Sequence, residues 1–165
     1  MPRLHASDGI DLYYEETGAG APMVFLHELA GDFRSFEPQI RYFSRAFRCI
    51  AYNARGYPPS DVPSDPDSYS QDRAVEDIKD VMDGFGLSKA HLVGVSMGGS
   101  AVLHFGLRYP DRATSLVVAG AGSGAVPGRV EQFRKESETM AQIAEQQGME
   151  AAGRLIAAGS TRIQH

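Results

Sequence analysis

The sequence has a single cysteine, Cys49, so it can form no internal disulfide and assemble no thiolate metal site. Nothing in it calls for an oxidising compartment, and a cytoplasmic location is the default expectation. A cluster of lysine and arginine is also lacking: 16 basic residues stand against 21 acidic ones, for a net charge of -5. Without a basic footprint, neither phosphate neutralisation nor attraction to anionic lipid has a basis. No nucleic acid and no membrane is therefore expected as a partner, which leaves a small molecule. No apolar run approaches the ~20 residues needed to span a bilayer. The start, Met1-Pro2-Arg3-Leu4-His5, turns polar by Ser7-Asp8 and has none of the apolar stretch of a signal peptide. Internal repeats and low-complexity tracts are missing too.

What is present is a globular balance, 42% hydrophobic with 22% charged over 165 residues, enough to bury a domain-sized core and too apolar for a disordered chain. Residues 3 to 16 read as two short antiparallel strands around Ser7-Asp8-Gly9, where Asp-Gly suits a tight turn. Met23-Val24-Phe25-Leu26 is an apolar run too short for a helix and typical of an inner strand buried on both faces. Phe36, Ile40, Phe43 and Phe47 recur at helical spacing, and a strand from Phe47 to Tyr52 takes over from that helix. Residues 53 to 69, with Pro58, Pro59, Pro63 and Pro66, are expected to form a surface loop.

Ser70 then caps a helix running to about Phe85, residues 90 to 95 form the next strand, 97 to 109 the next helix, and 114 to 119 another strand of buried composition. Alternating strand and helix from residue 23 to 120 predict an α/β fold, a mostly parallel sheet with helices on both faces. Beyond Gly120 a Gly/Ala/Ser loop leads to a polar helix with Val130, Phe133, Met140 and Ile143 on its apolar stripe, and then to a weaker helix near 149 to 158.

The chemistry sits in Gly94-Val95-Ser96-Met97-Gly98. G-x-S-x-G is a weak signal in a chain with 18 glycines, and its position is what gives it weight: a buried strand ends there and a helix begins. In such an elbow the serine occupies a strained turn, and Gly94 and Gly98 lack side chains because strand and helix pass close together. A hydroxyl at the first turn of a helix also faces unpaired N–H groups that can stabilise an oxyanion. The competing reading is a glycine-rich turn with a serine that merely caps the helix.

Three signatures occur together. Leu26-His27-Glu28-Leu29-Ala30-Gly31, Asn53-Ala54-Arg55-Gly56-Tyr57 and the elbow follow the third, fourth and fifth strands in that order. On them the chain resembles the α/β-hydrolase superfamily over nearly its whole length. The resemblance implies Ser96 as nucleophile, Leu29 and Met97 as the N–H donors of an oxyanion hole, and His27, Glu28, Gly94 and Gly98 as supporting residues. Glu28 stands where the family usually has glycine, Asn53 where it has aspartate, and Pro58-Pro59 where it is glycine-rich. Residues 1 to 121 are then the amino-terminal part of the hydrolase core and 122 to 165 a partial helical lid, truncated after the sixth strand.

The implied activity is hydrolysis of a carboxylic ester or lactone through an acyl-enzyme, with neither metal nor organic cofactor. Members that hydrolyse epoxides or haloalkanes use aspartate at the elbow, so serine disfavours both reactions. Carbon–carbon bond hydrolases and cofactor-free haloperoxidases share the serine and stay open.

In this family the triad acid and histidine follow the nucleophile, on loops that on the order of 80 to 100 further residues would supply. None of the five histidines suits the role. His104 lies eight positions along the helix from Ser96, roughly 12 Å by helical rise. His5 and His91 are placed at strand starts, His27 reads as a loop support, and His165 is terminal. His27-Glu28 is no zinc signature, because Gly31 stands where a second histidine ligand would be needed. Gly120-Ala121-Gly122-Ser123-Gly124-Ala125 formally fits a dinucleotide pattern, but Pro127 and Gly128 delay the helix that should hold the pyrophosphate. Impaired catalysis is therefore expected, the rival being a non-catalytic remnant or interaction module with a hydrolase-like half-sheet. Leu116-Val117-Val118 should form an exposed sheet edge open to self-association.

Overall fold

The computed structural model describes residues 1–122 and 125–158, and the chain divides into two compact units, Met1–Ala121 and Gly122–His165. In the first, β1 (Arg3–His5) and β2 (Asp11–Thr17) pair antiparallel with Leu4 opposite Leu12, and Gly9 takes the positive φ of 91° that the turn requires. β3 (Ala21–Leu26), β4 (Phe47–Tyr52), β5 (Ala90–Val95) and β6 (Ala113–Ala119) are parallel, and the strand order is β1-β2-β4-β3-β5-β6. The apolar run of β3 is explained by its place: β4 flanks it on one side and β5 on the other.

Alternate residues of a strand point to opposite faces, so β3 feeds two cores. Val24 and Leu26 join Val75, Ile78, Val81 and Met82 of α2 (Gln71–Gly84) and Ala101, Val102 and Phe105 of α3 (Met97–Arg108). Met23 and Phe25 join Phe36 on the other face, where Ile40 and Phe43 of α1 (Glu37–Phe43) pack. Helices thus cover both faces, as the alternation predicts. The start of α2 is fixed by Ser70, whose Oγ accepts from Arg73 N–H at 3.0 Å. At its end Leu87 N–H bonds back to the Met82 carbonyl while Gly86 takes a φ of 66°.

Three expectations need correction. The helix read across Phe36 to Phe47 is only α1: Phe36 closes a 3-10 turn (Phe33–Phe36) and Phe47 opens β4. The helical spacing persists because Phe43 and Phe47 pack ring edge to face, 6.0 Å apart, within one core. The segment after β4 is not a surface loop throughout, since Asn53, Arg55 and Ser60 are buried and hydrogen-bonded. The exposed edge expected at Leu116-Val117-Val118 is present: β6 ends the sheet, and these residues are exposed by 37%, 51% and 38%. His5 ends β1 rather than starting it and is hydrogen-bonded to Asp11 at 2.8 Å. Three strands separate β1 from β5, about 19 Å at normal strand spacing.

The buried polar segment is organised by Arg55. Its Nε and Nη2 donate to the two carboxylate oxygens of Asp77 at 2.8 and 2.7 Å, while Nη1 donates to the Ser68 carbonyl at 3.0 Å and lies 2.9 Å from Asp8 Oδ2. Arg73 bridges Asp77 and Asp80, and Asp80 accepts from both Ser7 N–H and Ser7 Oγ. One ionic network therefore ties the β1–β2 turn, the loop after β4 and α2 together.

The second unit contains α4 (Val130–Gln147) and α5 (Met149–Ala158), joined at Gly148, whose φ is 83°. Among the described residues no helix is long and apolar enough to cross a membrane.

Candidate active site

β5 ends at Val95 and α3 starts at Met97, so Ser96 alone makes the reversal. It does so at φ 53° and ψ -113°, and among the described residues it is the only non-glycine at positive φ. Backbone in such a region costs on the order of 1–3 kcal/mol and persists only where its surroundings impose it. Here Ser96 N–H donates to the Ala119 carbonyl of β6 at 2.8 Å, and Ser96 O accepts from Ser100 N–H at 2.9 Å. Gly98 N–H, in the first turn of the helix, donates to the His27 carbonyl at 3.2 Å.

The glycines are dictated by this crossing. A Cβ on Gly94 would overlap the Gly98 carbonyl, and one on Gly98 would overlap the Leu26 carbonyl and stand 2.7 Å from that of His27. Ser96 itself is exposed, and its hydroxyl makes no capping bond. Ser70 shows what a capping serine looks like in this chain: extended backbone at φ -156° and a hydroxyl bonded to an N–H three residues on. Ser96 differs from it on both counts.

Two N–H groups near this corner lack a partner among the described residues. Met97 opens α3 and Leu29 lies in the loop after β3; among the described residues neither N–H is bonded to another group of the chain. Both residues reach the Tyr57 hydroxyl, which donates to the Leu29 carbonyl at 2.8 Å and lies 3.7 Å from Met97 Sδ. Two free N–H donors and a helix start, next to an exposed hydroxyl, can hold a negative oxygen that forms beside it.

His27 is 2% exposed and both of its ring nitrogens are occupied. Ala54 N–H donates to Nε2 at 3.0 Å, which places the proton on Nδ1, and Nδ1 donates to the Glu28 carbonyl at 2.8 Å. Burial lowers its pKa from the ordinary 6.5, outweighing the nearby Glu28 and Asp32 carboxylates. The ring is therefore a neutral brace, unavailable as a base. Because the unfolded chain takes up this proton more readily than the folded one, stability is full above pH 6.5 and declines as pH falls below it. The expected slope from this group is at most about 1.4 kcal/mol per pH unit. Urea titrations at descending pH should show it in the native chain, and His27→Gln should remove it.

Glu28 fits in place of glycine because its side chain turns back to Ser35, whose Oγ donates to Oε1 at 3.0 Å across Gly31. Asn53 in place of aspartate is explained by its partners. Its Oδ1 accepts from Phe33 N–H at 2.8 Å, while Nδ2 donates to the carbonyls of Tyr57 and Pro58 at 3.2 and 2.9 Å. A carboxylate would have nothing to donate to those two carbonyls. Sequence reasoning missed Asn53, Ser60 and Tyr57 as organisers of the site. The available signal for Asn53 was a polar residue closing the apolar run of β4; Tyr57 ends a recognised signature, but nothing local shows its role, because its partner Leu29 is 28 positions away.

The remaining histidines stand apart from Ser96. His91 Nδ1 pairs with Ser115 Oγ and His104 Nδ1 with the Ser100 carbonyl, each at 2.8 Å. His165 lies outside the described residues, as do Ser123 and Gly124 of the dinucleotide-like pattern; α4 begins only at Val130. Among the described residues no three His, Cys, Asp or Glu side chains gather as a metal site would require.

Comparison with known proteins gives one consistent picture. The family model for the α/β-hydrolase fold matches residues 21–153. Epoxide hydrolase 3 of Mus musculus is 39% identical over 115 residues, which is 68% of this chain and 31% of that protein. A solved epoxide hydrolase from Bacillus megaterium superposes with a TM-score of 0.83 at 25% identity, over 95% of this chain and 59% of that one. A structure described as an N-acyl homoserine lactone degrading enzyme reaches 0.70 at 27% identity, over 81% of this chain and 52% of the other. The chain spans about a third of the length of the epoxide hydrolases matched by sequence.

Proposed function

Because the chain belongs to the α/β-hydrolase family, we propose that it carries the nucleophile and oxyanion site of a serine hydrolase that acts on a carboxylic ester or lactone. The observation that carries this reading is Ser96 at positive φ, exposed and not capping, in a chain whose Leu29 and Met97 N–H groups are unbonded among the described residues. In the proposed step Ser96 Oγ bonds to the carbonyl carbon, and the carbonyl oxygen becomes an oxyanion held by the Leu29 and Met97 N–H groups. Collapse breaks the carbon–oxygen bond to the leaving alcohol. The Ser96 proton passes to a base, and water later releases the acyl group.

Several relatives are epoxide hydrolases, but the elbow residue argues for a carbonyl substrate. A carboxylate that opens an epoxide forms an ester, which water can cleave. A serine oxygen would form an ether, which has no carbonyl for water to attack, so the enzyme would be consumed after one event. Among the described residues no histidine pairs with Ser96, and the 165 residues are expected to acylate with an activated ester but to deacylate slowly. The test compares 4-nitrophenyl acetate with an aryl glycidyl ether. Nitrophenolate release that depends on Ser96, with the epoxide left intact, supports the reading; diol formation from the epoxide would overturn it. Release independent of Ser96 would favour the non-catalytic reading.

The edge of β6 bears on the state of the protein in solution. Between Ala113 and Ala119 it has no proline and no charge, the devices that usually keep edges apart, so pairing with a second copy is proposed. Val117→Lys should shift the protein towards monomer in light scattering. An unaltered native chain that is monomeric at high concentration would contradict the pairing.

A further inference from the structure

We infer that Tyr57 is a positioning residue of the oxyanion site, whose hydroxyl sets the place of the Leu29 N–H relative to the start of α3. The inference rests on the acyl-transfer reading of Ser96 and adds to it a residue outside the three signatures' expected roles.

Leu29 is 59% exposed, so packing of its side chain does not hold it. The peptide that carries its N–H is instead braced through hydrogen bonds at two successive carbonyls. On the Glu28 carbonyl the brace is His27 Nδ1–H, at 2.8 Å; on the Leu29 carbonyl it is the Tyr57 hydroxyl, also at 2.8 Å. The two braces are themselves coupled, because the His27 and Tyr57 rings meet edge to face with centroids 4.6 Å apart. Tyr57 in turn has a fixed main chain: its N–H donates to the Ala54 carbonyl at 3.1 Å, and its carbonyl accepts from Ser60 N–H at 3.0 Å and from Asn53 Nδ2.

The same hydroxyl lies 3.7 Å from Met97 Sδ, so one phenol touches the residue on each side of the proposed oxyanion position. Burial, and secondarily the Glu28 charge, push its pKa up to about 12, which keeps it a donor throughout the neutral range. A residue needed only to fill space beside His27 could be phenylalanine. The bond from the hydroxyl to Leu29 is the part that phenylalanine lacks.

Tyr57→Phe is therefore the variant of choice, since it keeps the ring contact and removes only the donor. The maximal rate of Ser96 acylation by 4-nitrophenyl acetate is expected to fall about tenfold, with the half-saturating ester concentration and the thermal midpoint little changed. A second readout is the carbonyl stretch of the acetyl group on Ser96, carbon-13 labelled and followed by infrared difference spectroscopy. Weaker polarisation in Tyr57→Phe should move it to higher wavenumber. A third variant carries 2,3,5-trifluorotyrosine at position 57, which keeps the shape and ionises within the assay range. Its rate relative to the native chain should fall as the phenol loses its proton.

Unchanged rate and unchanged carbonyl stretch in Tyr57→Phe would overturn the inference while leaving Ser96 as the nucleophile. A rate that falls only in step with thermal stability, with the trifluorotyrosine chain insensitive to ionisation, would also overturn it, as a purely structural role. Absence of any acyl group on Ser96 in the native chain would overturn both this inference and the reading beneath it.

Discussion

Ser96→Ala is expected to eliminate the burst of nitrophenolate that the native chain gives with 4-nitrophenyl acetate. The native release should approach one equivalent per chain, slowly, because without a paired histidine the Ser96 proton must pass to solvent, and it proceeds because nitrophenolate is a good leaving group. The slow phase after it should be small. In serine hydrolases, loss of the catalytic triad costs on the order of a millionfold in turnover, and what remains, about a thousandfold or more over water, comes from the oxyanion hole and binding. A chain in which no described histidine pairs with the nucleophile should sit at that residual level. Removing Ser96 leaves the N–H donors but nothing to acylate. The same position gives a stability signature: Ser96→Gly removes a side chain held at φ 53° and is expected to raise stability by about 1 kcal/mol while abolishing the burst. A gain in stability coupled to loss of reaction distinguishes a strained nucleophile from a helix cap, whose loss would destabilise.

The largest expected effect on folding is at Arg55. Its side chain is 5% exposed and that of Asp77 3%, and the pair is bidentate. Removing one member of a buried ion pair costs about 3–5 kcal/mol, because the other charge stays buried without its partner. Arg55→Ala deprives three acceptors at once: the Asp77 carboxylate, Asp8 and the Ser68 carbonyl. Asp77→Ala should cost less, since Arg55 keeps Asp8 and Ser68, and Arg73 keeps Asp80. The midpoint of urea unfolding should fall furthest for Arg55→Ala, and the double variant should lose less than the sum of the two. Arg108→Ala gives the contrast. Its partner Asp72 is 78% exposed, and such solvent-screened surface pairs contribute little, so the urea midpoint should hardly move.

These two predictions also mark where the sequence is readable and where it is not. Ser96 is readable because the elbow is local: a five-residue spacing, a strand before it and a helix after it. The β3 and β5 runs and the apolar face of α2 are equally local, since side-chain periodicity follows from backbone geometry alone. Arg55 and Asp77 are 22 positions apart, Asn53 and Phe33 are 20, and no period connects them. Proline-rich sequence after β4 correctly indicated irregular backbone but said nothing of its burial, which the polar interior of Asn53, Arg55 and Ser60 makes possible. β6 shows the converse case. Its residues have the composition of a buried strand, but exposure depends on what lies beside it. For Tyr57, the sequence offers an aromatic residue within a recognisable turn, and only the fold brings its hydroxyl to Leu29.

The central claim is that Ser96 is an acyl-transfer nucleophile facing a working oxyanion site. It is tested most directly by mass spectrometry of the chain after brief exposure to 4-nitrophenyl acetate, followed by peptide mapping. Expected is a single added acetyl group on the peptide containing Ser96, absent from Ser96→Ala and persistent for longer than the acylation takes. Acetylation spread over lysines with Ser96 unmodified, or no adduct at all under conditions that label an ordinary serine hydrolase, would contradict it.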